Sequence, residues 1–402
     1  RKPTITNASD DTPVSTHAFT DDFEIEISRP EPDAVIHFTI DGSIPDASSP
    51  VASGPINITE STEIRTISIV PGQIPSRVRA EEFFKVDAGT AAFTSNLPIL
   101  VIDAFGSINN NVQTGGHMAF FEPNGTTGIA SVSDLPTSSS RIGIKIRGSS
   151  TAGFSKSPYA LELWEDGLND DRNISLAGMP AESDWVLQGP YIYDRSFTRN
   201  SFIYDLSRQV GVYAPRTQLI EVFVSQNDAT IIGGGNFSAD YRGVYVLIEK
   251  IKQGEDRVDV GGEMSPNFPL VDIASDGDGN LLQGDVTGGY MFKVDRPDPG
   301  DKGFIAGKEN ILWVDPKENE VTPEQAKWVT DYINSMYEST RSSNPETGYP
   351  KYVDTDSWID HHILNEFTKN PDAFYLSTYF FKDRGKRMEY GPIWDFDRTM
   401  GG

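Results

Sequence analysis

The chain has 402 residues, with 59 acidic and 34 basic side chains, and its net charge of -25 gives an isoelectric point near 4.5. A field of this sign disfavours nucleic acid and anionic membrane surfaces as partners, and it favours cations and basic proteins. The chain has no cysteine and no apolar run of transmembrane length, which excludes disulfides, thiolate metal sites and a membrane-spanning helix. Its length allows two or three domains.

The first 88 residues have the pattern of a small all-β domain. Apolar and polar residues alternate with period two in short segments, and Asp41-Gly42 is a strong hairpin turn pair. Four strands are predicted, over residues 23–27, 35–40, 64–70 and 78–86. Short strands separated by Pro and Gly turns are typical of an immunoglobulin-like sandwich, in which Asp41 is a turn residue.

The run from Phe38 to Pro45, FTIDGSIP, carries a first resemblance. It is similar to the Tyr-Thr-X-Asp-Gly-Ser-X-Pro run of chitobiase/hexosaminidase C-terminal-like domains, with Phe38 in place of the tyrosine. The resemblance implies that residues 1–88 form an accessory domain of a secreted bacterial protein and have no catalytic role.

A second β-rich region follows a linker near residue 90. Strands are predicted at residues 97–103, 160–164, 219–224, 243–250 and 288–295, with a hairpin within 112–128 and loops at 131–140 and 231–236. The strands at 219–224 and 243–250 are expected to pair.

A cationic strand stands out in so acidic a chain. Three isoleucines between residues 142 and 146 alternate with Arg141, Lys145 and Arg147, which predicts one apolar and one cationic face. A Gly-Ser-Ser loop containing Ser149 follows, and Lys156 comes shortly after it. Backbone N–H groups of such a loop, together with the cations, would hold phosphate. The alternative is a charged strand face that is simply solvated.

Three helices are predicted, over residues 195–210, 323–339 and 356–369. Gly211 is expected to end the first, Thr322 to cap the second, and Pro371 to close the third. The buried stripes expected from apolar spacing are Phe197, Phe202, Leu206 and Val210 on the first helix, and Ile359, Ile363 and Phe367, with Leu364 beside them, on the third. His361 and His362 lack a further histidine at metal-ligand spacing, so packing or surface exposure is expected of them.

An acidic segment lies between the strands predicted at residues 243–250 and 288–295. Asp276, Asp278 and Asn280 alternate with glycine, as in a Ca²⁺ loop. The segment departs from the EF-hand pattern, because Leu281 and Thr287 stand where Gly and Glu belong. Either a tight acidic turn or a weak Ca²⁺ site would fit.

Three aspartates flank a predicted hairpin near the end of the sequence. Its strands are expected at residues 373–381 and 388–394, with a turn about residue 384. Residues 372 and 396 would then face each other, and Asp372, Asp395 and Asp397 would meet at one end. Clustered carboxylates repel, and Mg²⁺ would balance their charge with help from substrate phosphates. A solvated hairpin end and a structural Ca²⁺ site are the alternatives.

Motifs over residues 95–402 resemble the CotH-type kinase family, an atypical kinase family named for a spore-coat protein. The segments that carry the resemblance are RGSS from Arg147, KSPY from Lys156, YDRS from Tyr193 with Arg199-Asn200, GVY from Gly243 through Glu249, GGY from Gly288, NEFTKNPD from Asn365, STY from Ser377, and GPIWDFD from Gly391. The resemblance implies an α+β, protein-kinase-like domain over residues 95–402 that uses ATP with Mg²⁺ or Mn²⁺. It also implies a secreted or surface protein that phosphorylates Ser or Thr of a protein substrate.

The resemblance also implies roles for individual residues. Asp372 corresponds to the catalytic-loop acidic residue, with Asn370 beside it, and Asp395 corresponds to the metal-binding aspartate, assisted by Asp397. Among the nucleotide-binding residues it implies, Arg147 and Lys156 would face the phosphates next to Ser149, and Glu249 would orient a cation.

Two other functions remain compatible with the sequence. A non-catalytic, cation-binding surface or adhesion protein on a kinase-like scaffold would suit the accessory sandwich and the acidity. A glycosidase would also use paired carboxylates, but it gives the cationic strand no role. Stabilisation of the fold by nucleotide would separate the kinase from both.

Overall fold

The computed structural model describes residues 1–148, 151–226, 229–233, 240–260, 286–297 and 300–401. These residues are mostly β and divide into two units. The first unit comprises Arg1–Gly189 and Gln218–Ile248, and the second comprises Pro190–Thr217 and Glu249–Gly402. None of the described helices combines the length and the apolar character needed to span a membrane.

The first unit begins with two small sheets that pack as a sandwich, as the sequence predicts. Their strands are β1 (Thr4–Asn7), β2 (His17–Phe19), β3 (Phe23–Ser28), β4 (Val35–Thr39), β5 (Ile56–Ile58), β6 (Thr62–Ile69) and β7 (Arg79–Lys85). One sheet has the order β1-β3-β5 and the other the order β2-β7-β6-β4. Apolar residues of the alternating segments, among them Ile25, Ile36, Ile64 and Phe83, form the buried core.

The first unit also contains a seven-stranded sheet that closes on itself. A short helix, α1 (Ala88–Ala91), comes before this region. The strands of the region in chain order are β8 (Thr94–Ser95), β9 (Ile99–Ala104), β10 (Thr114–Phe121), β11 (Ala130–Ser131), β12 (Ser138–Ile146), β13 (Tyr159–Trp164), β14 (Asp184–Gln188), β15 (Thr217–Gln226) and β16 (Tyr241–Glu249). All of them except β8 and β11 belong to the closed sheet. The closed order is β10-β12-β13-β14-β16-β15-β9, while β8 and β11 pair separately. Leu100, Met118, Ile142, Trp185 and Leu247 lie in its core.

The adjacent strands β15 and β16 confirm the predicted pairing, but two other expectations for this region are wrong. Residues 112–128 do not fold back on themselves, since they supply the single strand β10, which pairs with β9 and β12. The predicted loop at residues 131–140 loses its last part to β12. In a closed sheet every strand has two neighbours, and those of β10 are β9, which precedes it in the chain, and β12, which follows it.

The face of β12 that carries Arg141 is not a solvated cationic surface. Ile142 and Ile144 lie in the core of the closed sheet. Arg141 is itself buried, and its Nε donates to Oε1 of Glu63, in the sandwich, at 3.0 Å. A buried charge is tolerated when it is paired. The carboxylate of Glu63, from another sheet, is the partner that allows Arg141 to be buried, although the alternation along the strand placed Arg141 on a cationic face.

The described residues of the second unit form a five-stranded sheet and three helices. These elements are α2 (Arg199–Gln209), β17 (Tyr290–Val294), β18 (Gly303–Ala306), β19 (Glu309–Asp315), α3 (Pro323–Ser339), α4 (Thr355–Thr368), β20 (Thr378–Lys382) and β21 (Met388–Tyr390). The sheet order is β18-β19-β17-β20-β21. Tyr290, Phe292 and Trp313 of the sheet share a core with Val329 and Ile333 of α3.

The helix ends agree with the predictions, but the buried face of α2 does not. The side chain of Thr322 accepts the N–H of Gln325 at the start of α3, and Gly211, with a φ of 91°, follows the end of α2. Phe202 and Val210, expected to be buried on α2, are both exposed. The buried residues of α2 are Asn200, Ile203, Tyr204 and Ser207.

The predicted stripe on α4 is wrong as well. Ile359, Ile363 and Phe367 are 49%, 55% and 62% exposed. The buried face carries Ser357, His361, Leu364, Asn365 and Thr368. His361 stacks on Tyr390 with ring centroids 3.7 Å apart, so it is a packing residue as expected. Spacing of apolar residues does not locate a helix face whose buried contacts are largely polar.

The acidic hairpin is present with a register that differs from the prediction. In the pairing of β20 with β21, Phe380 lies opposite Tyr390, and Lys382 lies opposite Met388. The hairpin therefore turns about residue 385 instead of 384. The strand pairing ends at Phe380 and Tyr390, so it does not reach residues 372 and 396, which were expected to face each other.

Both strands of this hairpin are shorter than predicted. The first begins at Thr378, because Phe374 and Ser377 have φ values of 70° and 50°, which a strand does not accommodate. The second ends at Tyr390, where Gly391 has a φ of 135° and Pro392 lacks an N–H to donate. Residues 371–377 are consequently a turn, and Asp372 lies in that turn.

Candidate active site

The Asp395-Phe396-Asp397 segment is held by side chains of α2. The N–H of Asp395 donates to the hydroxyl oxygen of Tyr204 at 3.1 Å, and the N–H of Phe396 donates to Oδ1 of Asn200 at 2.6 Å. Asp395 has a φ of 63°, which is uncommon for a residue with a side chain. Such a conformation persists when surrounding contacts determine it, and the two hydrogen bonds from α2 supply those contacts.

The same region brings carboxyl groups together. Burial, the neighbouring carboxylates of Asp395 and Asp194, and a hydrogen bond between the side chains of Asp395 and Asp397 together raise the pKa of Asp397 to about 8. Nη1 of Arg199 donates to the carbonyl oxygen of Asp397 at 2.9 Å. The side chains of Asp395 and Asp397 therefore lie within hydrogen-bonding distance of each other.

This donor set fits a divalent cation. The two half-buried carboxyl groups lie close together, and a cation placed between them would remove their repulsion. In the described parts of the chain, no three acidic or histidine side chains are arranged to hold a metal ion. Mg²⁺ commonly uses one or two carboxylates and completes its shell with water and substrate phosphates.

Asp372 lies in the turn after α4 and is positioned by asparagines. Nδ2 of Asn370 donates to Oδ1 of Asn365 at 2.8 Å, and Oδ1 of Asn370 accepts the N–H of Asp372 at 3.1 Å. Asn365 is buried on α4, where its amide donates to the carbonyl oxygen of His361 at 2.9 Å. Asn370 thus orders the turn that presents Asp372.

The carboxylate of Asp372 is engaged by two side chains. Nη1 of Arg398 donates to Oδ1 at 3.3 Å and to Oδ2 at 3.2 Å. The hydroxyl of Tyr375 donates to Oδ1 at 3.2 Å. The structure therefore brings Asp395 and Asp397 together and pairs Asp372 with a cation from its own chain.

Lys156, in the first unit, is a partly buried lysine. Its Nζ donates to the carbonyl oxygen of Val244 and lies 4.9 Å from the ring centroid of Tyr245. Burial lowers the pKa of Lys156 to about 8, and Glu221 partly opposes that shift. A Cβ at Gly189 would come within 2.9 Å of the Lys156 carbonyl oxygen, so the backbone there requires glycine.

The remaining predicted residues are divided between the units. Arg147 follows β12 in the first unit, and its N–H donates to the carbonyl oxygen of Pro158 at 3.0 Å. Glu249, the last residue of β16, is the first residue of the chain's return to the second unit. It is fully buried and is paired with two arginines: Nη1 of Arg257 lies 2.5 Å away and Nη1 of Arg216 lies 2.9 Å away.

Two predictions cannot be followed in the structure. Ser149 lies outside the described residues. Asp276, Asp278 and Asn280, the suggested Ca²⁺ ligands, also lie outside them.

Sequence reasoning missed the supporting residues of the site. Asn200 and Arg199 lie within the motif that carried the resemblance, but Tyr204 was not singled out. A signal was available, since Asn200 and Tyr204 are four residues apart and so lie on one helix face. The apolar spacing of Phe202 and Val210 pointed to the opposite face. Arg398 was missed because its contact with Asp372 joins two residues that lie 26 positions apart, outside the paired strands.

Comparison with known proteins gives two family matches. The profile of the CotH kinase protein family matches residues 144–402, which is well over half of the chain. The profile of the chitobiase/beta-hexosaminidase C-terminal domain matches residues 14–80. A comparison with curated proteins found no match.

Proposed function

The chain belongs to the CotH kinase protein family, and from this membership we propose that it is a protein kinase that transfers the γ-phosphoryl group of ATP to Ser or Thr of a protein. The proposal includes a kinase-like α+β domain over residues 95–402, an accessory sandwich over residues 1–88, and a secreted or cell-surface location. The observation that carries it is the half-buried, hydrogen-bonded pair of Asp395 and Asp397, whose backbone is held by α2.

Asp395 and Asp397 would hold Mg²⁺ or Mn²⁺. The bound cation would neutralise charge on the phosphates of ATP, as in other phosphoryl-transfer sites. The contribution of the protein is to keep the two carboxyl groups in place before the cation arrives. The N–H groups of Asp395 and Phe396 donate hydrogen bonds to Tyr204 and Asn200, and these bonds fix the backbone that carries the two carboxyl groups. A fixed backbone limits reorganisation during the reaction.

Asp372 would orient the acceptor hydroxyl and accept its proton at a carboxylate oxygen. Its contact with the hydroxyl of Tyr375 supports this role, because it demonstrates that Oδ1 is accessible to a hydroxyl donor. Asn370 would act as a positioning residue, since its side chain accepts the N–H of Asp372. Lys156 and Arg147 would interact with nucleotide phosphates, and the lowered pKa of Lys156 is consistent with an ammonium group that lacks full solvation.

A non-catalytic cation-binding protein is the second candidate. It is favoured by the net charge of -25 and by the pairing of Asp372 with Arg398, which occupies the carboxylate that catalysis would need. Such a protein would bind Mn²⁺ through Asp395 and Asp397, but ATP would not stabilise it further.

The deciding experiment is a transfer assay with labelled ATP, an added acceptor protein rich in Ser and Thr, and Mg²⁺ or Mn²⁺. The proposal expects metal-dependent transfer by the wild type and none by Asp395→Asn. Asp331→Asn is the matched control, because Asp331 forms an exposed ion pair with Lys327 on α3. This variant should retain transfer. Cation binding without transfer and without stabilisation by ATP would favour the second candidate.

A further inference from the structure

Ser377 joins the two segments that carry the acidic residues of the candidate site. It is the last residue of the turn that presents Asp372, and its hydroxyl donates to Oδ2 of Asp395 at 3.3 Å. The two residues are 18 positions apart, and the hairpin of β20 and β21 lies between them in the chain. The contact therefore reaches one of the two carboxyl groups to which the cation is assigned. The proposed phosphoryl transfer leaves this hydroxyl without a role.

The backbone has an uncommon conformation at both ends of this contact. Ser377 has a φ of 50° and Asp395 has a φ of 63°. This left-handed region is unfavourable for any residue with a Cβ, whereas glycine adopts it readily. Strain of this kind persists where the surrounding structure uses it. A serine at a position that favours glycine indicates a use for its side chain, and the hydrogen bond to Asp395 is such a use.

The hydroxyl acts on a part of Asp395 that α2 does not hold. The hydrogen bonds to Tyr204 and Asn200 fix the backbone of the segment, but they do not fix the orientation of the Asp395 side chain. The half-buried carboxylate also lies beside Asp397, which carries the same charge. A carboxylate has about four lone-pair sites, so one hydroxyl on Oδ2 leaves room for a cation. Ser377 thus supplies the orientation that the backbone contacts do not.

We propose that Ser377 is a positioning residue of the cation site: its hydroxyl holds the carboxylate of Asp395 in the orientation that receives Mg²⁺ or Mn²⁺. Hydrogen-bond partners of metal ligands orient those ligands, and their loss lowers metal affinity. The inference rests on the proposed function for the identity of the cation. It extends that function by adding a residue that acts through Asp395 and not on the substrate.

The test is a calorimetric titration of the whole chain with Mn²⁺ in the absence of nucleotide, together with thermal melting of the metal-free proteins. Three substitutions separate the hydroxyl from the backbone. Ser377→Thr keeps the hydroxyl, but a β-branched residue is strained at this φ. Ser377→Ala removes the hydroxyl and keeps the strain, whereas Ser377→Gly removes both. Ser343→Ala, at an exposed serine of the same unit, is the matched control.

The proposal expects Mn²⁺ affinity to follow the hydroxyl. Affinity should fall about fivefold or more in Ser377→Ala and Ser377→Gly, and it should stay within about twofold of the wild type in Ser377→Thr and Ser343→Ala. The melting temperature should follow the backbone instead, so Ser377→Gly should melt above Ser377→Ala and Ser377→Thr. A residue that only stabilised the turn would give another pattern, in which Ser377→Gly regains Mn²⁺ affinity and Ser377→Thr loses the most.

Several results would overturn the proposal. Wild-type Mn²⁺ affinity in Ser377→Ala or Ser377→Gly would do so, and so would tighter binding, which would mean that the hydroxyl competes with the cation. A loss in Ser377→Thr or in Ser343→Ala as large as that in Ser377→Ala would also overturn it, as would the absence of Mn²⁺ binding by the wild type. If Ser377→Thr fails to fold, the alanine and glycine variants decide, because only a structural role restores affinity in the glycine variant.

This titration separates the inference from the proposed kinase activity. Phosphoryl transfer by the wild type, with unchanged Mn²⁺ affinity in Ser377→Ala and Ser377→Gly, would support the kinase and overturn the positioning role. Absence of transfer by the wild type, with the expected loss of Mn²⁺ affinity in both variants, would count against the kinase and support the positioning role.

Discussion

The hydroxyl oxygen of Tyr204 accepts the backbone N–H of Asp395 at 3.1 Å, although the two residues are 191 positions apart in the chain. The ring of Tyr204 also stacks on Trp394, with centroids 6.0 Å apart and planes inclined by 19°. One side chain of α2 therefore supports both the backbone of the acidic segment and the aromatic residue before it. Replacing Tyr204 with phenylalanine removes the hydroxyl that contacts Asp395 and keeps the ring that stacks on Trp394.

Tyr204→Phe should weaken Mn²⁺ binding while leaving the stacked ring in place. The substitution leaves the N–H of Asp395 without its acceptor, so the left-handed conformation at this residue has less support. We expect Mn²⁺ affinity to fall about tenfold, and the free energy of unfolding to fall by about 1 kcal/mol. Titration calorimetry and urea unfolding measure the two effects. Tyr337→Phe, on the exposed side of α3, should change neither, and an unchanged Mn²⁺ affinity in Tyr204→Phe would contradict the positioning role.

Asp395→Asn and Asp372→Asn should have opposite effects on stability in the absence of metal. Asp395→Asn relieves the repulsion with Asp397, so its melting temperature should equal or exceed that of the wild type. Asp372→Asn leaves Arg398 without its carboxylate, so it should melt slightly lower. Scanning calorimetry of the metal-free proteins measures this difference.

The same two substitutions should agree in their effect on nucleotide. Each should abolish metal-dependent ATP binding, and the double variant should lose no more than either single one, because the groups act as one site. Normal ATP affinity in Asp395→Asn, measured with Mg²⁺ present, would remove the basis for the metal assignment.

Lys156→Met should weaken ATP binding without a loss of stability. Burial lowers the pKa of Lys156, which means that the folded protein disfavours its positive charge. An apolar side chain of similar length removes that cost, so the melting temperature should stay level or rise. ATP affinity should fall about tenfold if the ammonium contacts a phosphate, since hydrogen bonds to charged groups contribute on the order of 1.5–3 kcal/mol. Lys145→Met provides the control on the neighbouring strand, and a much lower melting temperature with normal ATP binding would make Lys156 a structural residue.

His361→Phe should make the protein more resistant to acid. Burial, with a smaller contribution from His362, lowers the pKa of His361 to about 3, well below its ordinary value. The unfolded chain therefore takes up a proton before the folded protein does, and the stability from the neutral imidazole is lost as the pH falls from about 6.5 to about 3. Phenylalanine keeps the contact with Tyr390 and has no such proton.

The midpoint of acid unfolding, followed by circular dichroism, should move down by roughly half a pH unit or more in His361→Phe. The exposed neighbour offers the control, because His362 makes only the smaller contribution to the lowered pKa of His361, so His362→Gln should move the midpoint much less. A midpoint that moves equally in both variants would mean that burial of His361 is not the cause.

Local order in this protein follows from short-range sequence signals. The helix cap at Thr322, the stop at Gly211 and the alternating strands of the sandwich are all present, because each depends on a few neighbouring residues. The family could also be identified from the sequence, since its motifs are short and occur in a fixed order.

The buried faces of the helices depend on which partners the fold brings to them. Phe202 and Ile363 have the spacing of a core stripe, yet they are exposed, and Asn200 and Asn365 are buried in their place. The reason is that the backbone around Asp395 and Asp372 needs hydrogen-bond partners. Asn200 accepts the N–H of Phe396, which is remote from α2 in the sequence. Asn365 accepts from Asn370, which in turn accepts the N–H of Asp372 in the turn after α4. Polar burial of this kind leaves no period in the sequence.

The sequence by itself determined that three aspartates would lie near one end of a hairpin, because alternation, turn residues and motif order are local properties. Only the tertiary structure decided which of them meet. The strand pairing ends before it reaches residue 372, and the turn after α4 places Asp372 against Arg398 instead of residue 396. Asp395 and Asp397 form the remaining pair because α2 folds against their backbone, and a contact between residues so far apart in the chain depends on the whole fold.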